Sequence, residues 1–103
     1  MKKLLTTAIT LLVISSFSAI NGQNSNRYLS FYVYDDYGPV IGACVFIDDT
    51  SLAELTDFDG NANFNNVPPS ASTYSVESFG YVRINGRAIG NATRICVKLE
   101  LDE

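Results

Sequence analysis

Strict alternation of apolar and polar residues, without a helical repeat, most constrains what this chain can fold into. Leu29, Phe31 and Val33 alternate with serine and tyrosine between residues 28 and 34. This period of two is typical of a half-buried β-strand. No window after Gln23 places apolar residues at the i, i+3, i+4, i+7 spacing of an amphipathic helix. The sequence therefore predicts an all-β fold.

Further strands are predicted wherever β-forming residues lie between turn signals. These segments are 40–47, 51–56, 61–65, 73–79 and 93–101. Residues 82–84 are predicted to continue the 73–79 strand beyond a bend. The residues predicted to face the core are Ile41, Ala43, Val45 and Ile47 in one strand and Ile95, Val97, Leu99 and Leu101 in the last. About seven short strands with turns every 8 to 12 residues fit a β-sandwich or a small barrel, and we favour the sandwich.

The first 22 residues have the pattern of a secretory signal peptide. Lys2 and Lys3 precede an apolar stretch over 4–14, and small residues follow. The apolar stretch falls short of the roughly 20 residues that a transmembrane helix needs. An uncleaved N-terminal anchor is the alternative. The predicted organisation is a signal peptide over 1–22, a flexible leader over 23–27 and one small domain over 28–103.

Charge and histidine content exclude several functions. From Gln23 onward, five basic residues stand against 11 acidic ones, which gives a net charge of −6. An acidic surface argues against binding nucleic acid or anionic lipid. The chain contains no histidine, so it lacks the commonest general base and the commonest zinc ligand. The sequence therefore predicts a protein that is not an enzyme and uses no metal or cofactor.

Two cysteines, Cys44 and Cys96, leave three alternatives open. Export would permit a disulfide, which would contribute about 4 kcal/mol in the chain-entropy model. Two packed free thiols are the second alternative. A reactive thiol is the third, although neither cysteine has a histidine to activate it.

Tyr28, Tyr32 and Tyr34 share the face of the first strand opposite its aliphatic residues. Tyrosine combines apolar area with a hydroxyl, so this row is a candidate binding face for a protein or a sugar ring. The structural alternative is an ordinary outward sheet face. Elsewhere, Asp57 and Asp59 precede Gly60 in a strong turn signal, where we predict that aspartate side chains cap backbone amides.

Three ordered motifs resemble the carboxypeptidase-regulatory-like domain. They are Val-Tyr-Asp-Asp-Tyr-Gly-Pro-Val-Ile-Gly-Ala-Cys-Val at 33–45, Thr-Asp-Phe-Asp-Gly-Asn at 56–61 and Phe-Gly-Tyr at 79–81. The resemblance covers residues 29–101 and implies a seven-stranded Greek-key β-sandwich of the transthyretin (prealbumin) type.

In Gram-negative bacteria, domains of this family commonly follow a signal peptide at the N-terminus of TonB-dependent outer-membrane transporters for glycans and other nutrients. The resemblance therefore implies an exported accessory domain, located in the periplasm or at the outer membrane, with a protein of the cell envelope as partner. Residues 99–103 resemble the point where such transporters continue towards the TonB-interacting segment. The alternative is a free-standing secreted or periplasmic sandwich that binds a carbohydrate or a protein.

Overall fold

The computed structural model describes residues 26–103, and this part of the chain is all-β, as predicted. Its strands are β1 (Arg27–Asp35), β2 (Gly38–Pro39), β3 (Cys44–Ile47), β4 (Ala53–Leu55), β5 (Asn61–Val67), β6 (Thr73–Glu77), β7 (Ile84–Ala88) and β8 (Arg94–Lys98). Nothing within 26–103 forms a helix suited to crossing a bilayer. The predicted signal peptide and residues 23–25 of the leader lie outside the described residues, and β1 begins at Arg27, one residue before the predicted domain.

The strands form two four-stranded sheets. In the β1 sheet, β1 pairs antiparallel with β2 and β5 along one edge and parallel with β8 along the other. The β3 sheet has the antiparallel order β4, β3, β6, β7. This two-sheet arrangement is that of a β-sandwich.

A single hydrophobic core joins the two sheets. The largest fully buried side chains come from both: Phe31, Leu29, Ile47, Leu99, Val33, Val45, Val67 and Val76. Phe31 of β1 lies at the centre, where its ring meets Phe64 edge-on with centroids 5.8 Å apart. Its ring also lies 5.0 Å from that of Tyr74, on β6 of the other sheet. Aromatic contacts therefore link the two layers directly.

The strand predicted over 40–47 is shorter than its sequence pattern indicates. Gly42 has φ +78°, a left-handed conformation that interrupts the alternation, and β3 begins only at Cys44. Val40 is consequently buried, whereas Ile41, which we predicted to face the core, is 57% exposed. Leu101, predicted on the core face of the last strand, is likewise 51% exposed because β8 ends at Lys98.

Close packing at Gly60 and two hydrogen bonds of the Thr56 hydroxyl fix the turn that precedes β5. Gly60 has φ +79°, and a Cβ atom built on it would lie 2.6 Å from the Val33 carbonyl oxygen and 2.9 Å from the Pro39 Cβ. Thr56 is buried, and its hydroxyl donates to the Val40 carbonyl at 2.6 Å and accepts from the Ala43 amide at 2.9 Å. These contacts hold the 56–61 turn against the chain around β2.

Candidate functional site

The predicted tyrosine face is present on the outer surface of the β1 sheet. Tyr28 is 50% exposed, while Tyr32 and Tyr34 are half-buried. The Tyr28 hydroxyl donates to the Asn63 side-chain oxygen of β5 at 3.1 Å. Arg94 of β8 reaches across β1 to donate to the Asn61 side-chain oxygen at 3.2 Å. Amides and an arginine therefore surround the tyrosines on both neighbouring strands.

The rings of Tyr32 and Tyr34 stack on each other. Their centroids are 5.3 Å apart and their planes differ by 14°, a separation too short for two rings lying side by side in one plane. The Arg94 guanidinium lies 5.8 Å from the Tyr32 ring centroid. Arg94 pairs with Ser30 in the sheet, so it approaches Tyr32 from the side away from Tyr34. Both faces of the Tyr32 ring are therefore engaged, so Tyr32 presents mainly its ring edge and hydroxyl to solvent.

The two cysteines do not form the disulfide that the sequence allowed: both are free thiols in the structure. Cys44 lies on β3, beside buried Val45, and Cys96 lies on β8, beside buried Val97. Because successive strand residues point to opposite faces, the thiols project from the outer faces of different sheets. Burial, and then the Glu77 carboxylate, raise the pKa of the Cys44 thiol, which disfavours its thiolate.

A second surface, not predicted from the sequence, lies at the end of the sandwich where several turns meet. We call it the turn end and define it as residues 35–43, 54–61, 77–83 and 99–103. The Tyr81 hydroxyl donates to an Asp35 carboxylate oxygen at 2.5 Å, and Tyr81 forms a β-bridge with Leu101. The Gly42 amide donates to the Thr56 carbonyl, and the Val33 amide donates to the Gly60 carbonyl. These hydrogen bonds bring the four segments together.

The turn end carries most of the exposed large apolar side chains of the described residues. Seven of the eight are Tyr37, Ile41, Leu55, Phe58, Phe79, Val82 and Leu101, and the eighth is Tyr28. Phe79 is fully exposed, and Phe58 is 83% exposed. A cleft of about 110 Å³ opens between residues 35–37 and 99–103, with Tyr37 and Leu101 among its walls. Exposed apolar side chains gathered in one region are typical of an interaction site.

Sequence reasoning missed this surface because most of its exposed apolar residues lie outside the strands. Phe79 was predicted to end a strand over 73–79, but β6 ends at Glu77 and Phe79 lies in the turn that follows. Phe58 lies between Asp57 and Asp59, and Phe79 precedes Gly80. The predicted capping is confirmed, since an Asp57 carboxylate oxygen accepts from the amides of Asp59 and Asn61, each at 2.9 Å. A signal was nevertheless available: large aromatic side chains at turn positions have no strand face through which to reach the core.

The Tyr81–Asp35 hydrogen bond alters the pKa of one carboxyl group of the turn end. The Tyr81 hydroxyl, followed by the Tyr37 amide, lowers the pKa of the Asp35 carboxyl. A pKa lowered by folding stabilises the fold fully above the usual carboxyl pKa, and this stabilisation is lost as the pH falls through the lowered value.

We expect Tyr81→Phe to raise the Asp35 pKa towards the usual carboxyl value, because the substitution removes the first of these donors. A carboxyl ¹³C NMR titration measures the change. Tyr37→Phe is the matched control, since it keeps the Tyr37 amide that donates to Asp35 and removes only a hydroxyl on a 90% exposed side chain. An equal shift in both variants would contradict this assignment.

Residues 26–103 contain no group of three or more carboxylate, cysteine or histidine side chains that could hold a metal ion. No protein-family model matches the chain, and no curated protein matches it. The tyrosine face and the turn end are the candidate binding surfaces of this domain.

Proposed function

We propose that this chain is a non-catalytic interaction domain of the bacterial cell envelope, associated with TonB-dependent nutrient uptake, and that it binds a protein partner through the turn end. In this proposal the domain is a carboxypeptidase-regulatory-like sandwich with the seven-stranded Greek-key, transthyretin-like arrangement of that family. It is exported and acts in the periplasm or at the outer membrane. The all-β fold with two sheets supports the family assignment.

The placement of the three motifs also supports this assignment. The motifs at 33–45, 56–61 and 79–81 are far apart in sequence, yet each contributes to the turn end. The Thr56 amide donates to the Ala43 carbonyl at 2.8 Å, joining the first motif to the second. The Tyr81–Asp35 hydrogen bond joins the first to the third. The residues that carry the resemblance thus form one connected unit.

The main observation in favour of a protein-binding role is that Phe58, Phe79 and Tyr37 are exposed at one end of the domain. Leaving an aromatic side chain in water forgoes roughly 1.5–3 kcal/mol that its burial would provide. Aromatic side chains are enriched in the buried centres of protein interfaces. Binding a protein would bury these rings, whereas the core of the domain is already complete without them.

A carbohydrate ligand for the tyrosine face is the alternative function. Sugar rings pack on the open faces of aromatic rings, but the stacking of Tyr32 with Tyr34 and Arg94 leaves little of the Tyr32 ring face open. Glycan binding would shift the NMR signals of Asn61 and Asn63, which flank the tyrosines. A sugar panel that produced such shifts would favour the alternative over protein binding.

Site-specific crosslinking tests the proposal in cells. The full chain, with its own N-terminal segment, is expressed in a Gram-negative bacterium with p-benzoylphenylalanine at position 79. We expect the protein in the envelope fraction and a discrete protein adduct after irradiation. The matched control has the same photoreactive group at position 28, an exposed aromatic position outside the turn end, and we expect it to give no such adduct.

A chain retained in the cytoplasm would overturn the proposed location. Adducts formed equally from positions 28 and 79 would overturn the assignment of the turn end. The gene sequence beyond Glu103 tests the association with transport: a TonB-interacting segment, plug and barrel would support it, whereas an immediate stop codon together with envelope export would favour the free-standing alternative.

A further inference from the structure

The acidic side chains of this domain are concentrated at the turn end. The chain has 11 acidic residues, all within the described part. Nine of them lie in the segments that define the turn end: Asp35, Asp36, Glu54, Asp57, Asp59, Glu77, Glu100, Asp102 and Glu103. Of the described basic residues, Arg83 and Lys98 lie at or beside this end, and Arg87 lines a pocket with Val82, Arg83 and Glu100. The rest of the domain holds Asp48 and Asp49 with two arginines, Arg27 and Arg94, so the excess negative charge lies at the turn end.

Arg83 and Lys98 are already engaged by acids of the turn end. Arg83 forms an ion pair with Glu77. Lys98 lies 2.8 Å from an Asp36 carboxylate oxygen and 3.8 Å from one of Glu100. Among the described residues, the acids without an ion pair include Glu54, Asp59, Asp102 and Glu103. The charge left over at the turn end is therefore negative and surrounds the exposed apolar side chains.

This charge decides which partners the turn end can accept. Nucleic acid and anionic lipid surfaces would be repelled by it. A second copy of this chain, docked turn end to turn end, would place like charges opposite each other, which costs several kcal/mol in an interface. A positively charged partner would instead gain attraction and a faster association rate.

We propose that the turn end docks a basic, apolar polypeptide segment, in which lysine or arginine alternates with aliphatic or aromatic side chains. This inference rests on the proposed function, that the turn end binds a protein, and it specifies the chemistry of that protein. The apolar side chains of the segment cover Phe58, Phe79 and the cleft beside Tyr37, while its cations meet the surrounding carboxylates.

Three synthetic 15-residue peptides serve as probes against the purified full chain: one alternates lysine with leucine, one lysine with serine, and one glutamate with leucine. Affinity is measured by isothermal titration calorimetry, and the contact surface by shifts of backbone amide NMR signals. We expect the lysine–leucine peptide to bind most tightly, with shifts confined to the turn end. Its affinity should fall about tenfold between roughly 50 and 300 mM salt, since screening weakens exposed charges.

A matched pair of variants isolates the location of the charge. The first variant neutralises four acids of the turn end through Glu54→Gln, Asp59→Asn, Asp102→Asn and Glu103→Gln. The second changes the net charge equally at the opposite end, through Ser51→Lys, Ser70→Lys, Ser72→Lys and Asn91→Lys, all exposed positions. We expect the first variant to weaken lysine–leucine binding about tenfold, and the second to leave it nearly unchanged.

The outcomes separate this inference from the function on which it rests. Equal weakening in both variants, or affinity independent of salt, overturns the inference about charge. The inference about charge is also overturned if the glutamate–leucine peptide binds at the turn end as tightly as the lysine–leucine peptide. That outcome would leave the proposed protein-binding function intact. Shifts located on the tyrosine face instead overturn both. The salt series on the unsubstituted chain keeps the test decisive if a variant fails to fold.

Discussion

Replacing Gly60 with alanine is expected to destabilise the fold by about 3 kcal/mol, which combines the strain of a left-handed non-glycine residue with that of overpacking. The new Cβ would lie 2.6 Å from the Val33 carbonyl oxygen and 2.9 Å from the Pro39 Cβ, so the backbone must move. For a domain of this size, that cost is a large share of the total free energy of unfolding. Urea denaturation followed by circular dichroism measures it.

Gly42→Ala and Gly80→Ala are the matched controls. Both glycines have similar backbone conformations, with φ +78° and +87°, but a Cβ atom at either position would meet nothing within 4 Å. We expect each control to cost only about 1 kcal/mol, the usual cost of the left-handed conformation for a non-glycine residue. A similar loss at all three positions would show that the close approach of Gly60 to Val33 and Pro39 contributes nothing.

Phe31→Ala is the second substitution with a large expected effect. Phe31 is fully buried and contacts Phe64 and Tyr74, so its truncation leaves a cavity between the two sheets. The expected loss in the free energy of unfolding is about 3–5 kcal/mol. Thermal and urea denaturation of the purified protein provide the measurement.

Phe79→Ala serves as its control, because it removes the same side chain from a fully exposed position. We expect it to change the free energy of unfolding by less than about 0.5 kcal/mol, as most surface substitutions do. The same variant should weaken binding at the turn end if the proposed function holds. Equal destabilisation by Phe31→Ala and Phe79→Ala would contradict the described core.

The alternating pattern was sufficient to predict the all-β class and most strands, because a buried sheet face imposes period two directly on the sequence. It failed where local geometry interrupts the period, as at Gly42, which turns Ile41 outward. It also placed β7 poorly: the segment Ile-Asn-Gly-Arg-Ala has little apolar alternation and becomes a strand through its pairing with β6. Tertiary context determined the structure there.

The tyrosine face could be predicted because one strand contains it. The exposure of single turn aromatics left a signal in the sequence, but their gathering into the turn end could not be predicted, since it depends on which turns the topology brings together. Tyr37 and Leu101 border the same cleft although they lie far apart in the chain. Their proximity follows from the pairing of β1 with β8, whose partners include Tyr34 and Lys98. Alternation shows which face of a strand is buried but not which strand lies beside it.

The parallel pairing of β1 with β8 also determines how the domain responds to a pulling force. The five register pairs run from Ser30 with Arg94 to Tyr34 with Lys98. Because the strands are parallel, the start of β1 and the finish of β8 lie at opposite ends of the domain. Tension applied through these two points runs parallel to both strands. It therefore loads all the hydrogen bonds between β1 and β8 in shear at the same time, and they cannot break one after another. The domain is thus arranged to resist extension along this axis.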